Sequence, residues 1–221
     1  MESVVVKQEQ RNLDHNMSFK TLVEKIISNI KPTSTKAVFV FGRMNPPTLG
    51  HELLIARAVD IGRSEKADTF VIVTKTQDSK KNPSPYSDKL KALNAALPQV
   101  TFIDSDNIKT IFDAVQFLID QGYQDLILVC GSDRADEYDA LFQKYINNSD
   151  PEKRLNLASF NTAVAGSNRD PDSDDASGVS ATKARNLAKI GDFDAFRKIL
   201  PTGMPEEEAK VLFDDIRKNS K

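Results

Sequence analysis

The sequence AVFVFGRMNPPTLGHE, residues 37–52, places a short apolar run directly before a turn rich in proline and glycine. The run Ala37–Phe41 lacks alternation with polar residues, as expected for a strand that is covered on both faces of a parallel sheet. After the turn, apolar residues recur at helical spacing from Leu49 to Ile61. A strand, a tight loop and a helix in this order predict the first unit of an α/β domain.

The same alternation continues to Val164 and predicts an α/β fold, a Rossmann-like doubly wound parallel sheet of five strands. Further helices follow the sheet, so the predicted domain spans residues 36–221. The predicted strands are Ala37–Phe41, Thr69–Thr74, Val100–Ile103, Leu126–Cys130 and Leu155–Val164. The predicted helices are Leu49–Ile61, Tyr86–Leu97, Thr110–Gln121, Arg134–Ile146, Ala181–Ile190, Phe193–Leu200 and Pro205–Lys218.

Residues 1–35 are predicted to form an N-terminal extension with one amphipathic helix, at residues 18–30. Ser18 can cap this helix, and its apolar residues from Phe19 to Ile30 share one face. That face can pack against the main domain, or it can bind a protein partner or a second copy of the chain. The sequence leaves these alternatives open.

Composition restricts the classes of function. The 221 residues include 30 Lys and Arg and 32 Asp and Glu, and the resulting net charge of -2 argues against bulk electrostatic binding of nucleic acid. Cys130 is the single cysteine, so no internal disulfide can form and a reducing compartment fits. The sequence has neither an apolar run of about 18 residues nor a secretory signal. We therefore expect a soluble, cytoplasmic protein without a membrane contact.

The turn after the first predicted strand has the features of a phosphate-binding loop. Gly42 allows the backbone to turn, and Gly50 lets an anion approach the free N–H groups at the start of the next helix. His51 can donate a hydrogen bond to a phosphoryl oxygen, and Arg43 adds a fixed positive charge. The alternative is an ordinary strand–helix turn with a surface histidine.

A second anion site is indicated by the stretch SGVSATKAR, which ends at Arg185. Ser180 can cap the helix that follows, and Thr182, Lys183 and Arg185 gather a hydroxyl group and two cations in its first turns. The alternative is a capped surface helix.

The stretch CGSDR, Cys130 to Arg134, follows the fourth predicted strand. Gly131 permits close approach of a ligand to the backbone, and Asp133 can either cap the next helix or bind the ligand. Cys130 is expected to be simply buried. All three stretches fall at one edge of the predicted sheet, where ligands bind in doubly wound folds.

Together these stretches resemble the nucleotidyltransferase superfamily that carries a (T/H)xGH loop and a late (I/V)SxTxxR motif. The corresponding residues are Thr48–His51 and Val179–Arg185, while Gly42–Pro47 is similar to the GRFxP opening of the adenylyltransferase branches. Gly131–Asp133 resembles the GxD segment of the same superfamily. The resemblance covers Lys36 to Pro201 and extends to phage-encoded members, which share stretches such as TQDSKKNPSPYSDK.

This resemblance implies transfer of a nucleoside monophosphate, AMP from ATP, to a small phosphate such as nicotinamide mononucleotide, with Mg²⁺ held mainly by the nucleotide phosphates. It implies His51 as the main stabiliser of the α-phosphate, with Thr48 in support. Thr48 departs from the many members that have histidine there. The other implied residues are Lys183 and Arg185 for catalysis; Gly42, Arg43, Met44, Asn45, Gly50, Gly131, Asp133, Val179, Ser180 and Thr182 for the nucleotide; and Arg134 for the acceptor.

Two loops leave their roles open. Lys80 and Lys81 in the loop Lys75–Tyr86 can grip the acceptor phosphate as a lid, or they can belong to a solvated basic loop. Asp170, Asp172 and Asp174 have the alternate spacing of a calcium loop. The positions that should hold glycine and glutamate are Asp175 and Ala181, which favours a plain acidic loop.

Two alternatives to an adenylyltransferase follow from the same residues. One is a cytidylyltransferase that makes a CDP-alcohol, since nothing in the sequence separates ATP from CTP. The other is a structural or assembly protein that retains the fold and docks through the helix at residues 18–30. A phage-encoded protein would act in the host cytoplasm or associate with the virion.

Overall fold

The computed structural model describes residues 32–165 and 180–220. These residues belong to one compact unit, whose first residue is Pro32. Three predicted features lie outside the described residues: the helix at residues 18–30, the acidic loop with Asp170, and the residue Val179 of the late motif.

Five parallel strands form one sheet, which confirms the predicted fold class. They are β1 (Lys36–Gly42), β2 (Asp68–Val73), β3 (Thr101–Ile103), β4 (Asp125–Cys130) and β5 (Ser159–Val164). Their order in the sheet is β3-β2-β1-β4-β5. The chain therefore builds outward from β1 to β3 and returns to the other side of β1. The strand order reverses between β1 and β4, and the crevice at such a reversal is where open parallel sheets bind ligands.

Helices cover both faces of this sheet, as the apolar run of β1 requires. Val38 and Val40 point to one face and pack with the helices that follow β1 and β2 and with the C-terminal helices, whereas Phe39 points to the other face and contacts Phe160 of β5. The helices of the described residues are α1 (Leu49–Glu65), α2 (Tyr86–Ala96), α3 (Ile111–Asp120), α4 (Ser132–Ile146), α5 (Ala181–Ile190), α6 (Phe193–Lys198) and α7 (Glu206–Asn219). None of them is long and apolar enough to span a membrane.

Several predicted boundaries are wrong by a few residues. Strand β5 begins at Ser159 rather than Leu155, because its first partner on β4 is Asp125, the residue at which β4 begins. Helix α1 continues through Gly62 to Glu65. A Cβ atom at Gly62 would lie 2.0 Å from the Thr69 hydroxyl oxygen, so this glycine reflects close packing of the helix on β2 and not a helix end.

Three further differences concern helix starts and ends. Helix α4 begins at Ser132, before the predicted Arg134, and Gly131 is its N-cap residue. Asp133 therefore lies within the first turn, and of its two alternative roles the helix cap is excluded. Helix α6 ends at Lys198, and Pro205 precedes α7 as its N-cap residue.

Helices α2 and α7 pack together and bring a pair of carboxyl groups, Asp88 and Asp215, into proximity. Burial raises the pKa of Asp215 to about 6, and the charge and hydrogen bonding of Asp88 add to this shift. Since the ordinary pKa is 3.8, the folded state binds the proton of Asp215 more tightly than the unfolded chain does. The resulting stability is present below about pH 4 and is lost as the pH rises through about 6.

We expect Asp215→Asn to raise the midpoint of thermal unfolding at about pH 7.5, because it removes the charge repulsion. A rise of about 2–4 °C corresponds to roughly 1 kcal/mol in a chain of this size, and solvent screening at this half-buried position limits the gain to that order. At about pH 5 the difference from wild type should shrink, since Asp215 is then largely protonated. Thermal melts at both pH values measure this.

Asp214→Asn is the matched control, because it removes an exposed ion pair with Lys210, at 3.2 Å, and only the smallest of the contributions that raise the pKa of Asp215. An Asp215→Asn gain of equal size at both pH values would contradict the carboxyl-pair explanation.

Candidate active site

A cleft of about 810 Å³ opens at the carboxyl ends of β1 and β4, where the strand order reverses. It brings together residues of the three stretches singled out in the sequence, which are separated by up to about 140 residues of chain. The predicted site residues that line it are Gly42, Arg43, Met44, Asn45, Thr48, Gly50, His51, Lys81, Gly131, Asp133, Arg134, Ser180, Thr182 and Arg185. Lys80 and Lys183 are not among the described residues that line it.

The loop after β1 is shaped by Met44 and Asn45. Met44, not Gly42, has the positive φ of the turn, at 45°, and a Cβ atom on Gly42 would meet only the Met44 side chain at ordinary contact distances. The expectation that Gly42 supplies the turn is therefore wrong. The buried side-chain amide of Asn45 donates to the Ser84 carbonyl at 2.8 Å and accepts from the Ser84 N–H at 3.1 Å. Asn45 thus fastens this loop to the one after β2.

His51 is held at the start of α1 by Thr48. The Thr48 backbone N–H donates to His51 Nδ1 at 3.1 Å, and the Thr48 hydroxyl oxygen lies 2.9 Å from the same nitrogen. A backbone N–H can only donate, so Nδ1 is an acceptor and the neutral ring carries its proton on Nε2. Thr48 is only 1% exposed, and the contacts of its N–H and hydroxyl show that it orients His51.

The start of α5 forms another side of the cleft. The Ser180 hydroxyl accepts from the Lys183 N–H at 3.1 Å, which confirms Ser180 as the helix cap. The Arg185 guanidinium donates to the carbonyls of Asn45 and Lys81 at 2.8 and 3.2 Å and to the Thr182 hydroxyl at 2.9 Å. One side chain therefore connects α5 to the loops that follow β1 and β2.

The cleft is electropositive at Arg185. The pKa of Arg185 lies below its usual value. Burial disfavours the guanidinium cation most, and the nearby positive charge of Arg43 adds to this effect. An anion bound near both arginines would relieve that repulsion and would gain charge-assisted hydrogen bonds. This electrostatic arrangement favours phosphate binding.

Helix α4 contributes the wall beside β4. Its first turn presents Gly131, Asp133 and Arg134 to the cleft, and Arg134 Nη1 lies 3.3 Å from the hydroxyl oxygen of Tyr138 one turn later. Cys130 also lines the cleft although it is buried. Burial, with a contribution from Asp133, raises the pKa of its thiol to about 11. The thiol is therefore protonated near neutral pH and is not a nucleophile.

The loop after β2 closes around Asp78. The Asp78 carboxylate accepts from the backbone N–H groups of Lys80 and Lys81 at 2.9 and 2.7 Å. The bond from Lys81 contributes most to lowering the pKa of Asp78 to about 2, and the Asn82 side chain and the Lys80 N–H add to it. Both lysine side chains are exposed, and that of Lys81 lines the cleft. Its acceptor role, and the lid alternative, stay predictions.

Three further residues at the cleft are not among the site residues predicted from the sequence. Thr74 and Tyr138 line the cleft, and Lys89 of α2 is fully buried beneath it. The sequence does contain an indication that Lys89 is unusual, because this lysine shares the apolar face of α2 with Ala92, Leu93 and Ala96. A lysine on the buried stripe of a helix has to find polar partners inside the fold. Thr74 and Tyr138 had no comparable signal.

Asp133 is the single carboxylate among the described residues that line the cleft. In the described ranges, no group of three or more His, Cys, Asp or Glu side chains is placed to hold a metal ion. These residues fit a Mg²⁺ ion that enters with a nucleotide and is held by its phosphates. They do not fit a metal held by a dedicated set of protein ligands.

The sequence matches the cytidylyltransferase-like family over residues 39–187, a range that contains both the Thr48–His51 loop and Arg185. No curated protein matches the chain. Among solved structures, the chain is similar to TmcAL of Thermotoga maritima, in a crystal structure bound with alpha-thio ATP, with 16% identity and a TM-score of 0.48. That match covers 83% of this chain and 56% of the TmcAL chain, so this chain spans little more than half of its length.

Proposed function

This chain belongs to the cytidylyltransferase-like family, and from that premise we propose that it is a nucleotidyltransferase that transfers AMP from ATP to a small phosphate such as nicotinamide mononucleotide. One observation carries the proposal: the first turns of three helices line the same cleft. They are represented by Gly50 of α1, Gly131 before α4 and Ser180 before α5. A helix start offers free N–H groups and the positive end of a dipole, so three of them suit a polyphosphate.

We assign the α-phosphate to His51. Because Nδ1 accepts from the Thr48 N–H, the ring proton is on Nε2, and we assign that N–H to an oxygen that gains negative charge. Arg185 and Arg43, which repel each other across the cleft, are assigned to the β- and γ-phosphates. Ser180 and Thr182 at the start of α5 support them, and Lys183 is assigned to the outer end of the triphosphate.

The reaction needs positioning and charge stabilisation without a covalent intermediate. An oxygen of the acceptor phosphate forms a bond to the α-phosphorus, and the bond from that phosphorus to the bridging oxygen of the β-phosphate breaks. Pyrophosphate leaves with the bonding electron pair. The acceptor phosphate is already ionised, so the reaction requires no general base. Mg²⁺, when bound to the nucleotide, neutralises part of the phosphate charge.

We place the acceptor on the β2 side of the cleft, next to Thr74 and Lys81. Lys80, the exposed neighbour of Lys81, and Arg134, which lines the cleft beside β4, are further candidates for the acceptor phosphate. The second candidate function is a cytidylyltransferase that makes a CDP-alcohol, an activity whose name the matched family carries.

The experiment is a matrix of nucleoside triphosphates and acceptors with Mg²⁺. ATP and CTP are each combined with nicotinamide mononucleotide, phosphocholine and glycerol phosphate. Pyrophosphate release is followed, and products are identified by mass spectrometry. Release with ATP and nicotinamide mononucleotide supports the proposal, and release with CTP and an alcohol phosphate supports the second candidate. If no combination releases pyrophosphate although the protein still binds a triphosphate, the result would favour a non-enzymatic protein that keeps the fold.

A further inference from the structure

Lys89 is a buried cation whose contacts lie directly behind the cleft. Its side chain is 0% exposed, and its ammonium group donates to the Arg43 carbonyl at 2.7 Å and to the Thr74 carbonyl at 2.8 Å. The nitrogen also lies 5.7 Å from the centre of the Tyr86 ring. Both hydrogen-bond partners are neutral, so no negative charge in these bonds offsets the buried cation.

Burial of a charge with neutral partners is costly, and here it lowers the pKa of Lys89 to about 8. An apolar side chain would match the stripe of Ala92, Leu93 and Ala96 but would offer no donor to the Arg43 and Thr74 carbonyls. A cation at this position therefore calls for a reason other than packing.

The two carbonyl groups belong to the ends of neighbouring strands. Arg43 directly follows β1 and Thr74 directly follows β2, where the Thr74 N–H donates to the Gly42 carbonyl at 2.9 Å. In a trans peptide group the N–H points opposite to the C=O. With both carbonyls turned toward Lys89, the N–H groups of Met44 and Lys75 point away from it. Arg43, Met44 and Thr74 all line the cleft, so these peptide groups form part of its floor.

We propose that Lys89 is a positioning residue that locks the Arg43–Met44 and Thr74–Lys75 peptide groups, so that the Met44 N–H serves as an anion donor. The same two bonds fix the spacing between the nucleotide side and the acceptor side of the cleft. This inference rests on the proposed function, because it assigns the floor peptides to the phosphates of that reaction. Lys89 itself lies behind the floor and acts through these peptides.

The variants Lys89→Met and Lys91→Met test the proposal in the full chain. Lys91 lies on the same helix, but its side chain is exposed and pairs with Glu208 at 3.0 Å. We expect Lys89→Met to lower kcat/KM by about 10- to 100-fold, through both a higher acceptor KM and a lower kcat, since misplacement of about 1 Å can have that effect. Lys91→Met should stay within about twofold of wild type. Lys89→Arg, which keeps the charge and the donors, should recover part of the loss.

A second readout does not need turnover. Pyrophosphate is titrated into ¹⁵N-labelled protein, and the amide signals of Met44 and Lys75 are followed. In wild type we expect the Met44 signal to shift on binding, and in Lys89→Met we expect pyrophosphate affinity to fall by about tenfold. A wild-type Met44 signal that does not respond to bound pyrophosphate would overturn the proposal, even if the variants fail to fold.

The two proposals fail in different ways. If wild type binds pyrophosphate through Met44 and Lys89→Met weakens that binding, but no transfer is catalysed, the proposed function fails and the positioning role stands. If transfer occurs but Lys89→Met behaves as Lys91→Met does, the positioning role fails alone.

Discussion

Replacing His51 with glutamine should abolish most turnover while leaving the fold intact. The imidazole is the group assigned to the α-phosphate, and removal of one such preorganised donor lowers kcat by about 10²- to 10³-fold. Glutamine at the third position of a helix is one of the two residues that complete a capping box. It can therefore accept from the Thr48 N–H, as Nδ1 does now at 3.1 Å. Steady-state pyrophosphate release and thermal melts measure the two effects separately.

His51→Ala is the companion variant, since it removes both the imidazole and the capping-box contact of that ring with the Thr48 N–H. It should lose the same activity and should also be less stable by about 1 kcal/mol, the typical loss on removing a cap. His15→Ala, at the other histidine of the chain, is the matched control and should keep full activity. Activity of His51→Gln within about threefold of wild type would refute the assigned role of His51.

The second large effect is expected at Arg185. Arg185→Ala removes two hydrogen bonds that join α5 to the loops after β1 and β2, and a third to Thr182 within α5. It also removes one of the two cations that repel each other in the cleft. We expect kcat/KM to fall by at least about 100-fold and the affinity for pyrophosphate to fall with it. Charge-assisted bonds of this kind are worth about 1.5–3 kcal/mol each, so the melting midpoint should fall as well.

Arg185→Lys separates charge from geometry. A lysine keeps the positive charge but lacks the planar fork that reaches carbonyls on two loops, so we expect pyrophosphate affinity to recover more than kcat. Arg197→Ala, at an exposed arginine of α6, is the control for loss of a cation. An Arg185→Ala variant with normal pyrophosphate affinity would show that the guanidinium only holds the loops together.

The local pattern of the sequence predicts the elements of this fold and their order. The apolar run at β1 is buried on both faces, and every helix predicted within the described residues is present. The errors are at boundaries, such as the start of β5 and the end of α1, where strand register or helix packing decides the last residue. Gly62 shows the reason: its proximity to Thr69 cannot be read from a helix-breaking propensity.

The sequence by itself also determined which stretches lie at one edge of the sheet, because parallel strands end on the same side. It placed Thr48–His51 and Ser180–Arg185 together without any knowledge of contacts. Only the tertiary structure decided what each side chain does there. Asn45 is fully engaged by Ser84, Arg185 reaches a carbonyl 140 positions earlier in the chain, and Lys89 is buried behind the floor of the cleft. Hydrophobic periodicity is a local property that a sequence displays directly, whereas hydrogen bonds between distant segments and the desolvation of a charge exist only once those segments are packed.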